Sequence, residues 1–202
     1  MQYNRSKYAL LALSLLVACS AIAQTAPLRW CAYLTNGSVQ KLASDPAALE
    51  KAPQLLKALN ISKVYLEFFR QTSVSNDDVK KVSGALTQQG FEIAGGIATL
   101  PGENYGVRED AKLGWFNWQA QKTRDDVAKV MSTAAPLFSE IIVDDFFCTG
   151  DMSAESVAAK GELPWGDYRR ALMVQAAQQS IIVPAKSANP TVALIMKFPQ
   201  WY

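Results

Sequence analysis

Residues 140–147 read EIIVDDFF: three branched apolar residues, Ile141 to Val143, run directly into two adjacent carboxylates, Asp144 and Asp145. A short run of branched apolar side chains suits a parallel strand covered on both sides. Carboxylates at its carboxyl end fall where parallel α/β sheets keep their sites. Working outward, TVALIMKF (191–198) is the following strand, and Leu28 to Leu34, KVYLEFF (63–69) and FEIAGGIA (91–98) are the preceding ones. Between them, Pro46 to Leu59, Asn76 to Gln89, Thr123 to Ala135 and Trp165 to Ala185 have helical spacing. Asp45 is placed to cap the first helix, Asn60 lies near its stop, and Gly90 ends the second.

Strand-helix-strand alternation calls for parallel strands joined by right-handed crossovers, so the fold class is α/β. The expected architecture is a (β/α)8 TIM-type barrel, present as its first five or so units. No covering helix follows the last strand, which runs straight into Pro199-Gln200-Trp201-Tyr202. A five-stranded doubly wound parallel sheet is the alternative. Two connections, 99–122 and 148–164, are long and irregular, and loops of that length in compact domains are usually functional or disordered.

Half of the 202 residues are apolar and the formal net charge is only +2. That supplies a sizeable core and no dense Lys/Arg stripe for a phosphate backbone, which argues against nucleic acid as a partner. Histidine is absent. Ser-His-Asp and Cys-His nucleophile schemes and the commonest zinc ligand go with it, leaving carboxylates, Lys or Tyr for any catalysis. Asp151 and Glu155 could offer oxygens to a cation, but metal-loop spacing is lacking, and no metal or cofactor is expected.

Residues 1–23 read as an export signal. Arg5 and Lys7 precede an apolar run from Tyr8 to Ala18, and Ala21-Ile22-Ala23 offers a cleavage site before Gln24, leaving 24–202 as the folded part. Leu16-Val17-Ala18-Cys19 also matches a lipobox, in which a lipidated Cys19 would attach the protein to a membrane. Either route implies a periplasmic, extracellular or lipid-anchored protein. Cys31 and Cys148 are expected as unpaired thiols, a disulfide being the alternative that export permits.

The chemistry is expected at the strand ends. Asp144 and Asp145 are costly beside a core strand unless water, a cation or hydrogen bonds reach them. Regular strand geometry would turn them to opposite sides unless the strand end bends. Glycoside cleavage needs a second carboxyl group across the scissile bond. Glu67, at the end of the second strand, is the candidate, or else an ion-pair partner of Lys197 or Arg70. Lys197 could orient an aspartate or bind a sugar. Trp30, Tyr33, Tyr105, Trp115, Trp118, Trp201 and Tyr202 offer flat apolar faces for sugar rings.

EIIVDDFFCT (140–149), KGELPWGDYRRALM (160–173), PAKSANP (184–190) and VALIMKFPQWY (192–202) together resemble a group of exported bacterial glycoside hydrolases with (β/α)-barrel catalytic domains. The resemblance covers residues 61–202. It implies a barrel acting on glycans, with Asp144 and Asp145 at its acidic strand end. The chain departs from that group after Cys148, where Gly150-Asp151-Met152-Ser153 replaces a stretch with further cysteines. A glycoside hydrolase with a carbohydrate substrate is thus the expected function. The rivals are a non-catalytic glycan-binding envelope protein and a lyase or aldolase working through Lys197.

Overall fold

The computed structural model describes residues 28–111, 114–146 and 149–197. The elements in chain order are β1 (Trp30–Leu34), α1 (Asn36–Ser44), α2 (Pro46–Ala58), β2 (Ile61–Arg70), β3 (Thr72–Ser73), α3 (Asn76–Gln88) and β4 (Glu92–Ala98). There follow α4 (Gln121–Ala134), β5 (Glu140–Asp144), α5 (Ala154–Lys160), α6 (Trp165–Ala176), α7 (Val183–Ala188) and β6 (Ala193–Met196). Strands β1, β2, β4, β5 and β6 lie side by side in that order, each pair parallel, while β3 is a short antiparallel return on β2. Spatial order equals chain order. A doubly wound sheet reverses direction at a switch point; none occurs among the described residues, which corrects the five-stranded doubly wound alternative.

Successive right-handed crossovers in one direction put the helices on one side of the sheet. On that side Val64, Leu66, Ile97, Ile141 and Val143 are all at most 1% exposed, each contributing roughly 1.5–3 kcal/mol by burial. The register places Lys63, Tyr65, Glu67, Gly96, Ile142, Asp144 and Ile195 on the opposite face. There Ile142 is half-buried and Ile195 is 39% exposed. The runs at 141–143 and 192–196 are therefore covered on one side only among the described residues, not on both as their composition suggests.

Local signals set most helix starts. The Asp45 carboxylate accepts the N–H groups of Ala47 and Ala48, and Ser75 caps α3 through the Asp78 N–H. Two helices were not legible. α1, NGSVQKLAS, is poor in helix formers and has no side-chain cap; it is held instead by burial of Val39 and Ala43 and by a carboxylate at its first turn, described below. α5 lies in the stretch expected to be irregular and starts at the Ser153 cap. The helix beginning at Trp165 continues to Ala188 through a π-helical turn, Ala177–Ile182. Pro184 follows that turn; it has no N–H to give and its ring would crowd the carbonyl four residues back, that of Ser180, so the ladder widens there.

At the amino ends of the strands, on the open face, Lys63 Nζ lies 2.6 Å from Glu140 and 2.9 Å from Glu92, and the Tyr65 hydroxyl donates to Glu140 at 2.8 Å. Burial alone would raise the Glu140 carboxyl, but the bonds from Lys63 and Tyr65 outweigh it and hold the group below the usual glutamate range. A depressed carboxylate lends stability that is present above its unfolded value, about 4.3, and lost as pH falls through the folded one. The urea midpoint is expected to fall on acidification below about pH 4.5, and Glu140→Gln to flatten that part of the curve. Identical slopes in the two proteins would contradict this.

Candidate active site at the carboxyl ends of the strands

Two local distortions bring the polar groups together on the open face. The first is a β-bulge in β2: Glu67 is in register with Gly96 and Phe69 with Ile97, so Phe68 is the extra residue. In a regular strand residues three apart point to opposite sides; the bulge turns Arg70 to the side of Glu67. The Arg70 guanidinium then grips that carboxylate, with Nε 3.0 and 3.1 Å from its oxygens and Nη2 2.9 Å from Oε1. The Tyr33 hydroxyl donates to Oε1 at 2.9 Å and the Asn36 N–H, opening α1, to Oε2 at 2.7 Å. Glu67 is 0% exposed, and both of its oxygens are engaged. A helix N-terminus and a guanidinium fork are the partners that make a buried carboxylate tolerable. Burial and the neighbouring Glu67 charge push the Tyr33 hydroxyl upward, so it remains a donor.

Gly96 makes room for this arrangement. A Cβ there would stand 2.6 Å from Tyr33 Oη and 2.7 Å from its ring. Gly96→Ala is expected to cost about 1–3 kcal/mol in chemical denaturation by overpacking. The Tyr33→Ala/Gly96→Ala double variant should lose less than the sum of the singles; strict additivity would show that the two residues do not meet.

The second distortion is at Asp145, whose φ of 60° is left-handed. Aspartate tolerates this region better than most residues. The strand end therefore bends where alternation alone would send Asp144 and Asp145 apart. The Asp145 N–H donates to Asp144 Oδ1 at 3.0 Å, and Thr99 donates its N–H and its hydroxyl to the Asp144 carbonyl, each at 3.0 Å. Lys197 Nζ lies 2.8 Å from Asp144 Oδ1. Burial, then the adjacent Asp144 charge, push the Asp145 carboxyl above the usual aspartate range, against the pull of Lys197 and Arg70. An ion-paired aspartate thus stands beside one that keeps its proton to higher pH.

The loop after β4 frames this cluster. Its residues 107–111 and 114–117 pair as the two arms of a hairpin, in which Arg108 bridges Phe116, the Asn117 N–H donates to the Val107 carbonyl, and the Glu109 N–H donates to the Trp115 carbonyl. Asn117 then leads into α4, accepting the N–H groups of Gln119 and Ala120.

A family model described as "probable glycosyl hydrolase, catalytic domain" matches residues 18–202. The chain belongs to this family. An uncharacterized protein of Saccharolobus solfataricus is 26% identical over 191 residues, covering 84% of this chain and 32% of the relative, so the chain spans about a third of that protein. Two solved structures share the fold. One is a hypothetical protein from Ruminiclostridium thermocellum, with TM-score 0.53 and 14% identity over 82% of this chain and 96% of the other. The second is a GH20 exo beta-N-acetylglucosaminidase from Vibrio harveyi in complex with N-acetylglucosamine, with TM-score 0.52 and 12% identity over 83% and 34%.

Within this glycosyl hydrolase domain, Asp144, Asp145, Glu67, Tyr33 and Lys197 gather at one rim, as their strand-end positions suggested. Glu67 is a partner of Arg70, one of the roles open to it, and its engaged oxygens leave it poorly placed to act on a substrate. Lys197 is not the free amine that a lysine-dependent lyase or aldolase requires: its hydrogen bond to Asp144 holds it protonated above its usual range, which corrects that alternative. Trp30 opens β1, in register with Ile61 at the start of β2, and so lies at the far end of the sheet from the aspartates. Trp118 is 1% exposed and packs edge-on against Phe116 and Phe146; its ring belongs to the core and is not open to a sugar. Tyr105 packs edge-on against Phe69, and Trp115 is half-buried in the hairpin. Trp201, Tyr202 and Cys148 lie outside the described residues, while Cys31 is exposed and free. Asp151 is 4% exposed and its oxygens are taken by Asp110, Ser153 and Ser156. Glu155 accepts a bond from Asn117.

Sequence reasoning missed Asn36 and Thr99, and saw Arg70 only as an ion-pair alternative for Glu67. Asn36 acts through its backbone N–H and Thr99 binds the backbone carbonyl of Asp144, contacts that composition does not flag. Arg70 reaches Glu67 only because of the bulge, and nothing in KVYLEFFR marks Phe68 as the extra residue.

Proposed function

We propose that this domain hydrolyses glycosidic bonds in a carbohydrate held against the carboxyl-terminal rim of the sheet. In this reading Asp145 gives its proton to the leaving oxygen as the glycosidic bond breaks, a water molecule supplies the hydroxyl that bonds to the anomeric carbon and returns a proton to Asp145, and Asp144, held by Lys197, keeps a negative charge beside it. General acids work best when their pKa lies near the working pH, and a carboxyl group in a partly desolvated site with a like charge next to it is raised toward that value. The observation that carries the proposal is the left-handed turn at Asp145, which bends the strand end next to the Asp144–Lys197 pair. Membership of the family described as probable glycosyl hydrolase, catalytic domain, supports this reaction class.

The same reading takes the sheet as part of a (β/α)8 barrel. Sequential parallel order supports this, as do the apolar Ile142 and Ile195 on the uncovered face, which a closed barrel would bury. Reading residues 1–23 as an export signal, we propose further that the protein acts outside the cytoplasm, after cleavage before Gln24 or lipidation at Cys19.

The test is hydrolysis by the exported protein of a panel of para-nitrophenyl glycosides and cell-envelope glycans, with β-N-acetylglucosaminide included because a protein of similar fold binds N-acetylglucosamine. Turnover that depends on Asp145 supports the proposal. Tight glycan binding with no turnover would replace it with the non-catalytic envelope binder.

A further inference from the structure

Two buried carboxylates take no part in the chemistry proposed above. Glu109 is 5% and Asp151 4% exposed, the first in the hairpin after β4 and the second in the loop after β5. Their bonds cross between the loops. Glu109 Oε2 accepts the N–H of Gly150 at 2.7 Å, and Asp151 Oδ1 accepts the N–H of Asp110 at 2.8 Å. Each acid therefore holds the residue that adjoins the other.

The remaining oxygens are also satisfied. Glu109 Oε1 accepts the Trp115 N–H at 3.2 Å, and Asp151 Oδ2 accepts the hydroxyls of Ser153 and Ser156 at 2.6 and 2.5 Å. Burial by itself would raise the Asp151 carboxyl, but these bonds outweigh it and keep the group below its usual range. Burying a carboxylate costs several kcal/mol unless hydrogen bonds offset it.

The clasp is tied to the site through packed rings. Phe116, bridged to Arg108 beside Glu109, meets Trp118 edge-on at 5.4 Å, and Trp118 meets Phe146 edge-on at 5.0 Å. Phe146 is 0% exposed and directly follows Asp145. Asp145 is thus attached to a ring anchored in the core, and five residues further on the chain is clasped again at Gly150. A left-handed aspartate persists only where its surroundings hold it.

We propose that Glu109 and Asp151 are positioning residues: by clasping the two rim loops they hold Asp145 in its turned conformation beside Asp144 and Lys197. What this does for turnover rests on Asp145 being the acid; the positioning itself does not.

The test compares the exported full-length protein with its Glu109→Ala, Glu109→Gln and Asp151→Asn variants. Amide hydrogen exchange is read at Asp110 and Gly150, and the Asp145 carboxyl is titrated by carbon NMR. Faster exchange at both amides is expected, with the Asp145 midpoint falling toward ordinary aspartate as the turn relaxes and water enters. Glu109→Gln, which keeps one acceptor oxygen, should lie between wild type and Glu109→Ala. On a hydrolysed glycoside, kcat should drop about 10-fold with little change in KM, as expected for a misplaced acid. Loosened loops with an unmoved Asp145 midpoint would overturn the proposal, and so would unchanged exchange. If Glu109→Ala does not fold, Asp151→Asn and Glu109→Gln carry the same readouts. The titration needs no substrate, so a wild-type protein that cleaves no glycoside counts against the hydrolase reading alone.

Discussion

Asp145→Asn is expected to abolish most hydrolysis while making the protein harder to melt. Removing a general acid costs about 10²–10⁴-fold in rate, and asparagine cannot supply the proton. The stability change follows from the direction of the Asp145 shift. A carboxyl group whose folded pKa lies above its unfolded value, about 3.9, contributes stability below that unfolded value and loses it as pH rises through the folded one. At neutral pH the Asp145 charge therefore works against the fold, crowded by burial and by Asp144. Asparagine removes the charge and still accepts the left-handed backbone. Thermal melts at pH 7 should rise for the variant, and the gap should close on acidification below the wild-type midpoint. For wild type, turnover should decline on the alkaline side as Asp145 loses its proton. A variant that keeps its rate within a few-fold of wild type would remove Asp145 from the mechanism, and one that melts lower would show that its charge is stabilised.

Arg70→Met is expected to be the most damaging single change to stability near the site. It leaves the Glu67 carboxylate, 0% exposed, with only the Tyr33 hydroxyl and the Asn36 N–H. Breaking a buried charge pair by removing one partner is worth about 3–5 kcal/mol. Arg70 is itself 37% exposed, so water can take part of its place; about 2–3 kcal/mol is the expectation, or a fall of about 5–10 °C in melting temperature. The damage should reach α1, whose first turn is built on the same carboxylate. Glu67→Gln combined with Arg70→Met should be less destabilising than Arg70→Met alone, because no charge is then left unpaired. A double variant as unstable as the single one would locate the cost in lost packing of the Arg70 stem.

Between these two expectations lies a division of labour among the acids. Glu67 holds Arg70, Tyr33 and α1 in place, Glu109 and Asp151 are tied between loops, and Asp144 is paired with Lys197. Asp145 is the carboxyl group of the rim that burial and a like charge push toward its neutral form. On the proposed reading, it is the group that donates the proton.

What the sequence alone determined was the alternation of strands and helices, the parallel α/β class, and the placing of Glu67, Asp144 and Asp145 at strand ends. These follow from period, branching and capping, which act within a few residues. The tertiary structure decided which of those residues can work together. A bulge at Phe68 carried Arg70 across the strand, and a left-handed Asp145 undid an alternation that would have separated the aspartates. Burial moved Trp118 into the core, register sent Trp30 to the far end of the sheet, and a carboxylate from β2 started a helix, NGSVQKLAS, that its own residues scarcely support. Each depends on a contact between segments distant in the chain, where free energy is set by packing and desolvation and not by local preference.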